Sequence, residues 1–510
     1  MSAPTGATAA PTCYWFDYET FGTHAAMDRP VQFAGRRTDL DLNPVGPPLT
    51  LFARPTEDYL PDPGACRVTG ITPQMALQSG IPEREFIAAI QNELSYPATC
   101  NVGYNNIRFD DEFTRHVLFR NFHDPYEHEY RHGNSRWDLL DVVRMTRALR
   151  PQGLEWPVHP DTGKPSNRLE DLTRANGIEH SQAHDALADV DATIAVAGLI
   201  KRAQPRLYQF LFQHRSKDQC RKLLNLREQQ AIVHVSGMLS SAYQHLSVVM
   251  PLMKLQTNNN GIVVWDLRHD PEELLALAAA SDADGLATRL FTRAAELPAD
   301  TQRLALKTVH VNRAPVLAPL NVLRPEDQTR LQLNLPQCEG YRQQLIAARD
   351  TLTTVLTQAY DSASFNDEND ADAQLYSGGF FSEGDRLLFP RIRAADGPGL
   401  EAMGDCLQDV RGDEMLFRYR ARNFPDSLDA AAKQRWHQHC VTMLTQSLPN
   451  SPRTLRQVIR DMQKMDWYAH EATLKSALTD YFQTLAAKYD PGAVDSDVGG
   501  TTSCGDGHHR

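Results

Sequence analysis

Asp17 and Glu19 stand one residue apart in the segment "YWFDYETFGT", residues 14–23. The segment is apolar and aromatic and reads as a buried strand. In a strand, residues i and i+2 share a face. The two carboxylates therefore project together, while Phe16 and Tyr18 point the other way. Two carboxylates held this close in a semi-buried place repel each other, and one stays protonated unless a cation sits between them. A hard divalent ion bound through oxygen relieves the repulsion, and Mg²⁺ is the usual choice beside phosphates. The competing reading is an edge strand carrying two solvated acids, and D-x-E alone is a weak motif.

Two more clusters offer groups of the same kind. In "NNIRFDDEF", Asp110 and Asp111 open a helix just after a turn, where acids also serve as N-terminal helix charges. In "AHDALADVD", His184 precedes Asp189 by five residues. Five helical steps turn about 140°, so the two do not share a helix face. His184 is expected in the loop or first turn, with Asp185 as a cap and Asp189 pointing inward.

Elements of regular spacing must hold these groups. Residues 13–203 alternate strand-like runs ("CYWFDYETFG", "VQFAGRRTD", "PPLTLFARP", "ATCNVGYN") with helical ones ("EREFIAAIQNELS", "FDDEFTRHVLFRNF", "RWDLLDVVRMTRAL", "RLEDLTRANGI", "AHDALADVDATIAVAGLIKRAQ"). Strands followed by helices in this order predict an α/β domain. Between residues 225 and 320, "QQAIVHVSG", "LSVVMPLMKL" and "NGIVVWDL" are β-branched and turn-bounded, with a helical insertion at "DPEELLALAAA". A small β-rich domain fits. Helical patterns resume at "RPEDQTRLQL" and dominate 417–447 and 452–489. Residues 361–385 contain seven acids and no base and read as a linker or exposed loop.

A chain of 510 residues exceeds one hydrophobic core and predicts two to four domains. No apolar run approaches the ~20 residues that span a bilayer. "MSAPTGATAAPTC" lacks the basic start and apolar block of a secretory signal and reads as a disordered leader, 1–12; 488–510 reads as a disordered tail. The eight cysteines are irregularly spaced with no C-x-x-C, which excludes zinc ribbons and disulfide frameworks and points to a reducing, cytoplasmic setting. A net charge of −12 argues against nucleic-acid binding on average, yet Lys201–Lys254 holds nine Lys/Arg and two acids. An acidic protein binds DNA when its bases gather on one face.

D-x-E, an Asp some ninety residues on, and H-x4-D in that order match the DEDDh exonucleases. "FDYETFGT", "DRPVQFAGRRTD", "GYNNIRFDDEFTRH", "RNFHDPYEHEY", "RLEDLTRANGIEHSQAHDALADVDAT", "LAPLNVLRPED" and "DAQLYSGGFFSEGDR" resemble bacterial exonuclease I, over residues 13–485. The resemblance implies a ribonuclease-H-like α/β exonuclease domain (13–203), an SH3-like β-barrel domain (204–355) and an α-helical domain (356–487). It implies processive 3′→5′ degradation of single-stranded DNA to 5′-mononucleotides in DNA repair and recombination. Asp17, Glu19, Asp110 and Asp189 would hold two Mg²⁺ ions, with Mn²⁺ able to substitute, and His184 would be the general base. The choice of Asp110 over Asp111, and of Asp189 over Asp185 or Asp191, rests on the family pattern. Two-metal chemistry activates water and stabilises the leaving oxygen, and an imidazole is suited to take the water's proton.

Basic and aromatic residues in the matched segments, Arg115, Tyr126, Arg144, Arg168 and Lys217, are the types that hold phosphates and stack bases. Glu19 and Thr20 would touch the terminal nucleotide. The acidic C-terminal tail of single-stranded DNA-binding protein is the implied partner, with Arg150 and Arg324 to receive it; the chain is expected to be a monomer. Two other readings compete: a DEDDh enzyme acting on RNA or proofreading for a polymerase, and a binding module without catalysis. The long extension after Asp189 argues against the first. The complete set of active-site residue types argues against the second.

Overall fold

The computed structural model describes residues 10–180, 184–298, 301–362, 368–448 and 453–493. Most of the expected leader and tail, residues 1–9 and 494–510, lies outside the described residues.

Five strands build the first sheet: β1 (Thr12–Thr20), β2 (Pro30–Thr38), β3 (Leu49–Phe52), β4 (Thr99–Gly103) and β5 (Ser135–Asp138), in the order β3-β2-β1-β4-β5. β1 is central, antiparallel to β2 and parallel to β4. A strand covered on both faces needs apolar side chains on both, and β1 supplies them. Cys13 and Trp15 join a core with the helices Leu139–Leu149 and Ala186–Ala203, while Tyr14, Phe16 and Tyr18 pack with Phe33, Phe86 and Val117 on the other side. Asp17 and Glu19 continue the Cys13–Trp15 face, toward the helix that carries Asp189.

The helical run expected over "RWDLLDVVRMTRAL" divides. Ser135–Asp138 is strand β5, parallel to β4. The helix starts at Leu139, capped by Asp138, whose side chain accepts from Leu140 N at 3.0 Å. Pairing with β4 supplies backbone hydrogen bonds that local spacing does not announce. Gly177 ends the helix Leu169–Ala175 as its spacing predicts: its φ is +65°, and Ile178 N donates to Thr173 O at 2.9 Å.

The second sheet comprises β6 (Ile232–Val235), β7 (Leu246–Lys254), β8 (Gly261–Asp266), β9 (Leu306–His310) and β10 (Val316–Pro319). Its order is β10-β6-β7-β8-β9, antiparallel throughout. Helices Glu272–Ala279 and Ala283–Phe291 form the insertion between β8 and β9. The C-terminal region is helical from Glu383 to Tyr489. Its first long pattern is broken between Asn423 and Ala430, where Pro425 cannot continue the ladder.

The acidic segment 361–385 departs from the expected linker. Ala371, Ala373, Leu375 and Phe381 are buried, as are Asp372 and Asp385. Arg418 donates to Asp370 at 2.7 Å and Asp372 at 3.2 Å, and Arg422 donates to Asp372 at 2.6 Å and to Asp58 of the first domain at 2.7 Å. The acids are counterions for arginines lying 46–50 residues away, a pairing composition does not disclose. Residues 363–367 of the segment lie outside the described residues. The same interface shares apolar cores: Phe119 and Phe122 pack with Phe381, Phe389 and Met415, and Phe21 and Tyr59 with Leu478 and Phe482.

Inside the first domain, buried Glu83 accepts from Arg120 at 2.8 and 2.6 Å and from Asn121 at 2.7 Å. Burial opposes its ionisation, but the Arg120 charge and hydrogen bonds prevail and bring it down to about 2. A depressed carboxylate contributes stability that is present above its unfolded pKa of ~4.3 and is lost as pH falls through the folded value. Glu83→Ala should lower stability by about 3–5 kcal/mol at pH 7, because Arg120 is left as an unpaired buried charge. In acid titrations followed by circular dichroism, Glu83→Gln should lose less stability than wild type between about pH 4.5 and 2. Equal losses in both proteins would contradict this assignment.

Candidate functional site

Strand β1 sets the floor of the site. Its register with β2 shifts between Glu19 and Thr20, an irregularity of the kind that re-aims side chains at a strand end. Asp110 arrives from the other side of the sheet order. β4 ends at Gly103, where an added Cβ would lie 2.9 Å from Phe16 O. The chain then turns through Asn105, φ +68°, into the helix Asp110–Arg120. Asp110 Oδ1 accepts from Tyr18 N at 3.1 Å, between Asp17 and Glu19 in the chain. Asp111 leaves the site: it pairs with Arg136 at 2.5 Å.

The third contributor is the helix Ala186–Ala203. Asp185 caps it, accepting from Ala188 N at 3.1 Å. Asp191 faces outward to Arg36 at 2.7 and 3.0 Å. Asp185 also accepts from Gln32 of β2 at 3.4 Å, but of the three only Asp189 brings a carboxylate oxygen into one group with Glu19 and His184. The ligand atoms of Glu19, His184 and Asp189 lie within 4.8 Å of one another, a grouping able to hold a metal ion. Asp17 and Asp189 line one cleft of about 680 Å³. Geometry thus separates Asp110 from Asp111, and Asp189 from Asp185 and Asp191, where spacing did not.

Each of the four carboxylates is pushed upward. Burial raises Asp17 well above the carboxylate range, with Asp110, Glu19 and Asp189 adding repulsion. Burial, then Asp189 and Asp110, raise Glu19 to about 8. Burial and the neighbouring Asp111 charge raise Asp110 to about 8. Asp189 is raised by burial and eased by its contacts with His180 and His184. Four buried acids, with Asp17 and Glu19 each repelled by Asp110 and Asp189, are an oxygen donor set fitted to cations, and a hard divalent ion matches it.

His184 sits directly before the helix in left-handed backbone, φ +69°, and its N–H donates to Asp189 Oδ2 at 3.2 Å. A residue the motif did not reveal holds the other oxygen: His180 Nε2 meets Asp189 Oδ1 at 2.5 Å, and His180 Nδ1 lies 3.3 Å from Thr173 Oγ1. The sequence carries this only as an unremarkable "GIEH". Residues 181–183 between the two histidines lie outside the described residues.

This geometry has relatives. Residues 14–197 match the family model "Exonuclease", 215–362 "Exonuclease I SH3-like domain" and 369–485 "Exonuclease I C-terminal domain". The chain is 46% identical over 428 residues to exodeoxyribonuclease I of Escherichia coli K12, covering 84% of this chain and 89% of that protein. The chain belongs to the exonuclease I family. The zinc-bound E. coli exonuclease I–single-stranded DNA complex is similar at TM-score 0.86 and 42% identity, covering 94% of this chain and all of that one. An SSB/exonuclease I structure with the inhibitor CFAM is similar at TM-score 0.84 and 42% identity, covering 94% and 100%. The exonuclease, SH3-like and helical parts expected from the resemblance are therefore all present. Among the described residues no helix is long and apolar enough to cross a membrane.

In this exonuclease I family member the other expected contacts fall into two places. Arg144 and Arg168 line the carboxylate cleft with Tyr104, Asn105 and His245. Arg144 pairs with Asp141 at 2.6 Å, whereas the Arg168 side chain is 71% exposed and lies 3.6 Å from Glu170. His245 comes from the SH3-like domain, so no motif of the nuclease domain could have announced it. Thr20 is buried, its hydroxyl donating to Gly22 O at 2.6 Å.

Arg115, Tyr126 and Lys217 line a separate groove of about 980 Å³ between the three domains. Arg115 is buried, bonded to Glu129 at 2.7 Å and Glu112 at 2.9 Å, with its guanidinium over the Tyr126 ring. The basic run 201–254 is not one patch: Lys201 pairs with Asp41 at the far side of the sheet, while Arg215 and Lys217 reach the groove. Arg150 and Arg324 lie elsewhere, beside Asp327, which accepts from Arg150 Nη1 at 3.0 Å and from the backbone N of Arg324 at 3.1 Å, while the Arg324 guanidinium lies 3.6 Å from Glu326.

Because Glu19 and Asp110 are raised to about 8, binding of a divalent cation at pH 7 should expel protons. Titration calorimetry in buffers of differing ionisation enthalpy should detect that release at pH 7, and the release should fade above about pH 9, where the acids are already ionised. Binding at pH 7 without proton release would mean that the carboxylates are not cross-repelled as described.

Proposed function

We propose that this chain hydrolyses single-stranded DNA from its 3′ end, releasing 5′-mononucleotides, as a nuclease of DNA repair and recombination working in the cytoplasm. One observation carries the reading. Four buried carboxylates from three elements gather at a cleft that Asp17 and Asp189 line, with His184 beside Glu19 and Asp189. The substrate is that of the similar E. coli exodeoxyribonuclease I, whose complex with single-stranded DNA shares this fold.

Asp17, Glu19, Asp110 and Asp189 would hold two Mg²⁺ ions, or Mn²⁺ in their place, which would supply Lewis acidity toward the attacking water and the leaving 3′ oxygen. His184 takes the proton of that water as the oxygen–phosphorus bond forms and the bond to the 3′ oxygen breaks. Its backbone bond to Asp189 keeps the imidazole at the edge of the carboxylate group. His180 holds Asp189 by its second oxygen. Glu19 and Thr20 lie at the end of β1 where the terminal nucleotide would rest, and Arg168 and Arg144 provide cations at the cleft for the phosphates next to it. Farther out, Tyr126, braced by Arg115, offers a ring for a base, and Lys217 a phosphate contact.

A groove walled by all three domains would retain the strand between cuts, which makes the enzyme processive. Arg150 and Arg324, which flank Asp327, form the docking point for the acidic tail of single-stranded DNA-binding protein, in line with the SSB/exonuclease I structure. The chain acts as a monomer.

A 3′-end-labelled single strand should release labelled mononucleotide first, and a matched RNA strand should be degraded far more slowly. Asp17→Ala should abolish cleavage. His184→Ala should slow single-turnover cleavage by about 10²–10⁴-fold while strand binding persists. Release of long labelled fragments first, or full activity in Asp17→Ala, would overturn the reading. With excess unlabelled DNA added as a trap, degradation of an engaged strand should continue; arrest after one nucleotide would remove processivity.

A further inference from the structure

A cavity of about 1140 Å³ lies between the nuclease domain and the second sheet, lined by Arg108 and Asp141 on one side and His234, Ser236, Asp266 and Lys307 on the other. It adjoins the carboxylate cleft across the helix Leu139–Leu149: Asp141 faces the cavity, and Leu140 and Arg144 face the cleft. It shares His310 and Arg313 with the outer groove. The cavity therefore opens on the outer groove, where the strand is expected to be gripped, and lies one helix away from the cleft.

Lys307, on β9, projects into this space. Its Nζ lies 3.0 Å from Nε2 of His234, and His234 Nδ1 lies 3.0 Å from Val316 O. A carbonyl can only accept, so Nδ1 carries the proton and donates to it, and Nε2 is left as an acceptor for the ammonium. Burial, with Lys307 beside it, pushes His234 well below the usual imidazole range, so it stays neutral. It aims the ammonium without cancelling its charge.

The ammonium is otherwise poorly compensated. Burial, reinforced by the Arg108 charge, lowers Lys307 to about 8; Asp141 and Asp266 act on it only from a distance. Arg108 itself is committed to Ser236, at 3.3 Å. Asp141 is committed to Arg144, and Asp266 accepts the Ser247 hydroxyl. Among the described residues no carboxylate comes within 4 Å of Lys307 Nζ. A lysine ammonium has three donors, and the neutral imidazole takes one. A half-buried cation held on a neutral acceptor, with two donors left for a cavity, is arranged for an anion that arrives from outside.

We propose that Lys307 binds an internal phosphate of the single strand on its way between the outer groove and the carboxylate cleft, with His234 as the positioning residue that aims it. The proposal rests on the DNA-degrading function given above, which supplies the strand.

Strand binding is measured by fluorescence anisotropy in EDTA, so that no cleavage occurs, between 50 and 200 mM salt. Each phosphate contact on single-stranded DNA contributes about 0.7 to the slope of log K against log salt. Lys307→Met should make that slope shallower by about 0.7, which is roughly a 2.6-fold smaller change in affinity over this range. Lys307→Arg should keep the slope, and His234→Gln should weaken binding without changing it.

A second measurement needs no variant. Labelling of wild-type Lys307 by an amine-reactive reagent, read by peptide mass spectrometry, should be suppressed by an oligonucleotide and not by dAMP. Identical slopes in wild type and a folded Lys307→Met, or undiminished labelling of Lys307 under saturating oligonucleotide, would overturn the proposal. Suppression by dAMP alone would assign the site to the released product instead of the strand. A wild type that binds strand but shows these negative results loses only Lys307. A wild type that neither binds nor degrades single strands loses the proposed function itself.

Discussion

Repulsion among four carboxylates governs this molecule. Burial opposes the ionisation of Asp17, Glu19, Asp110 and Asp189, and acidic neighbours add to it at the first three; His180 and His184 ease it at Asp189. The remaining repulsion is met by rigidity. Asp110 is tied to the backbone of β1, Asp189 is held at both oxygens by two histidine residues, and β1 is clamped between two strands and two layers of aromatic and aliphatic side chains. A site that stores unfavourable electrostatics binds cations strongly because binding releases it.

The rest of the architecture builds walls around that floor. The SH3-like domain sends His245 into the cleft and Lys307 into the adjoining cavity. The helical domain is locked to the nuclease domain through shared apolar cores and through the chain Asp58–Arg422–Asp372–Arg418–Asp370. Buried ion pairs of this kind are a poor source of net stability but are costly to break singly. They hold the groove walls in one relative position.

The sheet, its covering helices and the β-rich middle domain were legible because their signals are local. The continuous apolar run in "CYWFDYETFG" and helical spacing in "EREFIAAIQNELS" follow from which faces must be buried. Strand β5 was misread as helix because "RWD" has no pattern of its own; the pairing with β4 decides it. The acidic segment was misread as a linker because its partners, Arg418 and Arg422, are distant in the chain.

For the site, the sequence by itself determined the inventory and the faces: D-x-E on one side of a strand, an acidic helix start, and a histidine just before a capped helix. These are properties of residue type and periodicity. Only the tertiary structure decided which of Asp110 and Asp111, and which of Asp185, Asp189 and Asp191, turn to β1, since each rejected acid is taken by a cap or an arginine elsewhere. It alone brought in His180 and the SH3-like domain's His245 and Lys307. Electrostatic and hydrogen-bond partners are chosen by distance in space, and a linear pattern carries that distance only within a single element.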